Sequence, residues 1–332
     1  MVNARKFVLA RHFEGEPQLD DFRLEEEELP PLEDGQILCE AVYLSVDPYQ
    51  RVFKEMHKLG EPMIGSQVAR VVESRSPDFP VGKYVVGYWG WRDRTVADTK
   101  NHNDLWAPIL APDVGDLPLS LCLGVLGMPG NSAYFGFLEL CHPKTGEVAV
   151  VSGAAGAVGS IVGQIARIKG CRVIGFAGSD EKVKWLKDEL GFHHAYNYKS
   201  IDVATALKEA APEGVDVYFD NVGGKLSSDV IYNMRTGGRI SVCGSISSYN
   251  STEIPTAPIL QPAMIFKELK MEGFLVKRWL DRWDEGIKQN IQWIKEGKLK
   301  YRETVTEGFE NMPKAFIGML KGENVGKAVI KV

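Results

Sequence analysis

Residues 148–169 constrain this chain more than any other stretch. The apolar run Val148-Ala-Val-Val-Ser152 reads as a strand buried on both faces. It passes directly into Gly153-Ala-Ala-Gly-Ala-Val-Gly159. A helix over Ser160–Lys169 follows, with Ile161, Val162, Ile165 and Ile168 on one stripe. Strand, glycine-rich turn and helix in that order leave the first N–H groups of the helix unpaired and its dipole facing an anion. Gly156 lets a backbone approach a pyrophosphate, and Gly159 lets the helix lie close on the strand. The run departs from strict GxGxxG at Ala154. The alternative is a tight structural turn in an unrelated α/β sheet, but the βαβ setting favours a dinucleotide.

The setting extends well beyond the turn. Arg172-Val-Ile-Gly-Phe176, Ala195–Tyr198, Val215–Phe219 and Gly238–Cys243 read as further strands. Between them lie a helix capped by Asp180, with Val183, Trp185, Leu186 and Leu190, and a helix over Val203–Ala210. Asn131 and Ser132 are expected to cap an earlier helix ending at Cys141. Alternating strands and helices, with strands apolar on both faces, give a doubly wound parallel sheet. Residues 1–122 differ. Gln36–Leu44, Ser66–Glu73 and Val81–Gly87 alternate in the manner of strands, punctuated by Pro30-Pro31, Asp34-Gly35, Pro77, Pro80 and Gly82, which suggests a small barrel or sandwich. A strand from Val305, a helix over Lys314–Lys321 and a strand over Gly326–Lys331 are assigned to this first domain. The expected division is 1–122 with 299–332, and 123–298 for the α/β domain.

The net charge of -5 argues against nucleic acid or an anionic membrane as the main partner. Cys39, Cys122, Cys141, Cys171 and Cys243 are odd in number and lack CxxC spacing, so they read as reduced thiols in a reducing compartment. No secretory leader or membrane span is legible, and a cytoplasmic location is expected.

The end of the second strand selects the cofactor. An NAD site places a carboxylate there for the ribose 2′-OH. Here the strand ends Phe176-Ala-Gly-Ser179, which leaves room for a 2′-phosphate, with Lys182 and Ser179 in reach. NADP (NADPH) is therefore expected; the rival is that Asp180 holds the ribose and the cofactor is NAD.

Together these residues resemble the medium-chain dehydrogenase/reductase superfamily, in its zinc-free branch that reduces alkenals and 15-oxo-prostaglandins. The resemblance runs through Ser45-Val-Asp-Pro-Tyr-Gln-Arg51, Gly127-Met-Pro-Gly-Asn-Ser-Ala-Tyr-Phe-Gly136, Ala154-Ala-Gly-Ala-Val-Gly-Ser160 and Gly178-Ser-Asp-Glu-Lys182. It continues in Phe219-Asp-Asn-Val-Gly-Gly224, Cys243-Gly-Ser-Ile-Ser247, Gly308-Phe-Glu-Asn-Met-Pro313 and Gly322-Glu-Asn-Val-Gly-Lys327. Gln50 stands where the family usually has Met, and Asn131-Ser132 where Leu-Thr is common. The resemblance implies a Rossmann domain and a GroES-like β-barrel domain. It implies cofactor contacts from Gly153, Ala155, Gly156, Ala157, Val158 and Gly159, from Lys182, Ser179 and Tyr198 near the 2′-phosphate, and from Asn221. Cys243, Gly244, Ser245, Ile246, Ser247, Ser248 and Tyr249, with Phe274, Leu275, Val276 and Asn324, would hold the ribose and nicotinamide. A homodimer paired through sheet edges is implied as well.

No metal is expected. Asp47 follows Ser45-Val46 with no Cys, Gly65-Ser66-Gln67 stands where a His-Glu pair would be needed, and no four-Cys lobe lies near Tyr88–Asp104. His12, His57, His102, His142, His193 and His194 lack ligand spacing and read as surface or loop residues. That points to hydride transfer from NADPH to the β-carbon of an α,β-unsaturated ketone or aldehyde. The developing negative charge on the carbonyl oxygen then needs a preorganised donor. Tyr249 and Tyr49 are the candidates, with a mobile loop tip and a packed turn residue as their respective alternatives. Arg51 is a possible partner for a substrate carboxylate, with a structural salt bridge as the alternative. Trp89, Trp91 and Trp106 could line a pocket or fill a core. The expected substrates are amphipathic enones and enals such as 15-oxo-eicosanoids or 4-hydroxynonenal. NADP-dependent oxidation of the leukotriene B4 12-hydroxyl is a secondary implication of the resemblance. The rivals are a quinone reductase of the same superfamily and a non-catalytic NADPH-binding protein.

Overall fold

The computed structural model describes residues 2–52, 58–100 and 107–332. The chain divides into two compact units, Met1–Gly124 with Glu303–Val332, and Val125–Arg302.

The first unit opens on a hairpin, β1 (Val2–Leu9) against β2 (Phe22–Leu29). β3 (Gln36–Val46), β4 (Gln67–Ser74), β5 (Tyr84–Gly87), β6 (Arg94–Asp98) and β7 (Ile109–Leu110) follow. The hairpin escapes a reading by alternation because β2 carries four consecutive glutamates, Glu25–Glu28; Lys6 and Arg92 pair with Glu27 among them.

The second unit begins with α1 (Met128–Cys141), then β8 (Val148–Val151), α2 (Gly159–Ile168), β9 (Arg172–Ala177), α3 (Asp180–Asp188), β10 (His194–Asn197), α4 (Val203–Ala210), β11 (Val215–Asp220), α5 (Gly224–Tyr232), β12 (Met234–Val242), α6 (Gln261–Phe266), β13 (Lys270–Gly273) and α7 (Trp283–Lys295). Among the described residues its six strands run in the order β10-β9-β8-β11-β12-β13, all parallel. That is the Rossmann order, whose direction reverses between β8 and β11, the place where such sheets bind ligands outside their carboxyl ends. Both faces are covered. Val148, Val150, Ile174, Phe176 and Tyr218 pack with Val203, Leu207, Val230 and Ile231 from α4 and α5. On the other side Phe219 meets Phe137 of α1 and Phe274.

The chain then returns to the first unit as β14 (Glu303–Glu307), α8 (Met312–Leu320) and β15 (Lys327–Lys331). β15 pairs antiparallel with β3, which joins the tail to the sheet β14-β15-β3-β4-β5-β7, with β6 alongside β3. The GroES-like barrel thus takes the form, among the described residues, of a seven-stranded sheet. Its core gathers Phe7, Phe22, Leu44, Trp91, Phe309 and Phe316. Among the described residues no helix is long and apolar enough to cross a membrane.

Two expected caps are corrected. Asn131 and Ser132 lie inside α1, and Gly127 is its N-cap. Asn131 is buried, its Nδ2 donating to the Trp283 carbonyl. At α3 the cap is Ser179, whose Oγ accepts the Lys182 N–H at 3.3 Å; Asp180 is the first helical residue.

Candidate dinucleotide and enone site

The turn after β8 is built from backbone that tolerates almost no side chain. Gly153 has φ +58, the left-handed region that favours glycine. The Gly156 N–H donates to the Gly153 carbonyl at 3.0 Å, and the Ala154 N–H donates to the Phe176 carbonyl at 2.9 Å, pinning the turn to β9. A methyl group on Gly159 would collide with the Gly153 oxygen and stand 2.9 Å from Ala154 Cα. A methyl group on Gly156 would meet only the Gly153 oxygen, at 3.3 Å, so that side of the turn lies open for a ligand. The departure at Ala154 is accommodated across the sheet: Gly175 has no side chain where its Cβ would stand 3.0 Å from that of Ala154. An open glycine at the head of a helix fits a pyrophosphate.

Beside the turn, Asp220 organises the end of β11. Its buried carboxylate accepts from Ser152 Oγ (2.9 Å), Tyr218 Oη (2.8 Å), Ser227 Oγ (2.5 Å) and the N–H groups of Val222 (2.9 Å) and Gly223 (3.0 Å). Asn221 is held by its side-chain amide on the Ser152 carbonyl at 2.7 Å. The Asp220 carbonyl accepts from Cys243 and Gly244, and the Asn221 and Val222 carbonyls accept from Ile246 and Ser247. Segment 243–249 is therefore laced onto residues 220–222. Sequence reading singled out Asn221 and missed Asp220; the signal was a carboxylate closing an apolar strand.

Tyr249 turns back on this segment, and its Oη accepts the Ser245 N–H at 3.1 Å. Burial raises its pKa, with Ser245 opposing. At neutral pH the phenol thus keeps its proton and remains a donor. Burial likewise pushes the Cys243 thiol up to about 12, so it is no nucleophile. Phe274 packs its ring against Phe219 and Trp279, Val276 is buried and Leu275 is exposed.

At the end of β9, Tyr198 Oη lies over Gly178, and Lys182 approaches from the first turn of α3. Burial lowers the Lys182 pKa, and Lys199 adds to the shift. Asp180 is engaged: its Oδ1 accepts from Asn197 Nδ2 at 2.9 Å. That contact disfavours the rival in which Asp180 holds a ribose hydroxyl.

Most of the remaining residues belong to the first unit. Tyr49 stacks on Tyr88 with ring centroids 6.0 Å apart. Burial, then Asp47, raises its pKa well above the ordinary value. Tyr49 rides on a short 3-10 turn, Pro48–Arg51, that starts at Asp47. Lys327 Nζ donates to Asp47 Oδ1 (3.0 Å) and to the carbonyls of Val46 (2.7 Å) and Ala328 (2.9 Å), and Ser45 Oγ bonds Asp47 Oδ2. Gln50, the family departure, is a buried amide that accepts the Asp47 N–H and donates to the Ser45 and Ile64 carbonyls. Arg51 is 3% exposed, its guanidinium over the Phe13 ring and bonded to the Gly15 carbonyl. Asn324 Nδ2 donates to the Gly326 carbonyl in the turn before β15. Trp91 is core, stacked on Phe22, and Trp89 packs beside Phe79 and Val85. Trp106, His57 and His102 lie outside the described residues. His194 sits in β10 rather than in a connection, and His193 Nδ1 accepts the Val173 N–H. Among the described residues no three His, Cys, Asp or Glu side chains group as metal ligands would.

Residues 5–105 match the family described as "N-terminal domain of oxidoreductase", and residues 157–296 the family described as "Zinc-binding dehydrogenase". The chain is 52% identical to prostaglandin reductase 1 of Bos taurus over 100% of both chains. It belongs to the prostaglandin reductase 1 family of medium-chain dehydrogenases/reductases. Within that superfamily it is also 39% identical to the NADP(+)-dependent 2-alkenal reductase of Nicotiana tabacum, over 100% of this chain and 98% of the relative. The solved structure of CurA from Vibrio vulnificus in complex with NADPH superposes with a TM-score of 0.91 at 40% identity, covering 99% of each chain. The second family description names zinc, whereas the described donor set offers no cluster for it.

Proposed function

We propose that this protein uses NADPH to reduce the carbon–carbon double bond of α,β-unsaturated ketones and aldehydes. The observation that carries the reading is the full-length 52% identity to prostaglandin reductase 1, on a chain whose Rossmann sheet presents an open glycine turn at its switch point. NADPH, when bound, supplies the hydride for the β-carbon. The chain's own residues hold and polarise. Gly153 to Gly159 and the α2 N-terminus receive the pyrophosphate, Lys182, Ser179 and Tyr198 the 2′-phosphate, and Asn221 with residues 243–249 and the 274–276 backbone the ribose and nicotinamide. Asn324 is assigned to the nicotinamide end by its family motif.

Tyr249 is the donor we assign to the carbonyl oxygen. A phenol with a raised pKa donates without ionising, which is what charge developing on that oxygen requires. Tyr49 is the other candidate. Tyr249→Phe is expected to lower kcat by on the order of tenfold or more. Unaltered kcat would remove Tyr249 from the chemistry. NADPH consumption against a panel of enones, enals, quinones and alcohols tests the reaction class. Turnover of enones and enals well above quinones is the expected result. Preferred quinone turnover would favour the quinone reductase, and binding without turnover a non-catalytic protein.

The substrates we assign are amphipathic, 15-oxo-eicosanoids and alkenals such as 4-hydroxynonenal among them. The five unpaired cysteines support a cytoplasmic site of action. Two copies are inferred to pair through β13, one of the two edge strands of the sheet, near the exposed Ile259 and Ile265 and the 81%-exposed Phe266. Sedimentation should give a dimer that Phe266→Asp weakens; a monomeric wild type would contradict the pairing.

A further inference from the structure

The end of β9 gathers two lysines. A methyl group built on Gly178 would meet Tyr198 Oη at 3.3 Å and Lys199 Cε at 3.5 Å, so both side chains fold over the strand end that glycine leaves bare. Lys182 lies in the first turn of α3, whose cap, Ser179, directly follows Gly178, so both lysines stem from residues around that strand end. Glu181 pairs with Arg302 at 3.6 Å. The other local carboxylate, Asp180, is drawn aside by Asn197 Nδ2. Asn197 serves both ends of the arrangement, because its Oδ1 accepts the Lys199 N–H at 3.1 Å and fixes the backbone from which Lys199 springs.

Two cationic residues around one strand end suit a doubly charged anion. A phosphate monoester carries about -1.5 to -2 charges at neutral pH, more than one lysine balances. We propose that Lys199 is a second cationic contact for the 2′-phosphate of NADPH, acting with Lys182 and Tyr198 to set the preference for NADPH over NADH. This rests on the NADP reading of the site. Asn197 contributes twice, by placing Lys199 and by removing the carboxylate that a ribose 2′-OH would use.

The test is a fluorescence titration of the full-length protein with NADPH and with NADH. Wild type is expected to bind NADPH more tightly. Lys199→Ala is expected to raise the NADPH dissociation constant about tenfold, as for loss of one charge-assisted contact, and to flatten its salt dependence. NADH binding should stay within about twofold, since that ligand brings no 2′-charge. Lys199→Arg should retain most of the preference. Lys199 is exposed, and matching circular dichroism melts would confirm an intact fold. If Lys199→Ala leaves NADPH affinity unchanged while Lys182→Ala weakens it, Lys182 acts alone and the proposal is overturned. Equal weakening of both nucleotides by Lys199→Ala would also overturn it, as a structural effect. A wild type that binds NADH as tightly as NADPH would instead sink the NADP reading, and the proposal with it.

Discussion

Gly159→Ala is expected to raise the NADPH dissociation constant by on the order of a hundredfold, the scale of a displacement of about 1 Å. The added methyl group meets backbone, not a side chain that could swing away. On one side it strikes the Gly153 carbonyl; on the other it crowds Ala154 Cα. Neither yields easily, because Gly153 occupies a left-handed conformation and Ala154 is tied to Phe176. The α2 N-terminus must then move off β8, taking its N–H groups away from the pyrophosphate. Such overpacking costs about 1–3 kcal/mol of stability. Gly156→Ala is the informative companion. Its methyl group meets only one atom, at 3.3 Å, so the fold should hold while the ligand loses its approach. Calorimetric titration of both variants separates the two effects, and wild-type affinity in Gly159→Ala would refute the packing argument.

Lys327→Met is expected to destabilise the first unit by about 3–5 kcal/mol, the usual result of removing one member of a buried ion pair. The side chains of Lys327 and Asp47 are 5% and 6% exposed. Without the ammonium, the Asp47 carboxylate is left buried with Ser45 as a side-chain partner, and the Val46 and Ala328 carbonyls lose a donor. Pairing the change with Asp47→Ala should cost less than the sum of the two single changes, since the stranded charge disappears. Urea unfolding followed by circular dichroism measures all three. The Pro48–Arg51 turn starts at Asp47, so Tyr49 should shift and kcat fall alongside stability. Additive single effects would show that the pair is not the coupling.

The Rossmann half was legible because its signals are local and redundant. Val148–Val151 is apolar on both faces, the glycines mark the turn, and the α4 helix stands at Val203–Ala210 as its stripe dictates. The hidden elements lacked such signals. β2 carries a glutamate run that hides its alternation, and α5 opens on Gly223 and Gly224, both with positive φ, instead of a capping side chain. Asp180 and Ser179 are adjacent capping residues, and only the hydrogen bond to Lys182 N distinguishes them. In the candidate site the glycines and Lys182 could be singled out from the sequence, because residue type suggests their role. Asp220, Lys199 and the Lys327–Asp47 pair were not, because each acquires its meaning from a partner distant in sequence or set by a turn. Arg51 shows the converse: a guanidinium in a motif invites a ligand, and burial against Phe13 gives it another use.

Transfer of deuterium from NADPH labelled at the reactive C4 position of its nicotinamide to a medium-chain enone is the most direct measurement. Reduction across the carbon–carbon bond predicts a saturated ketone with the label on the β-carbon, read by NMR. An allylic alcohol labelled at the former carbonyl carbon would contradict it.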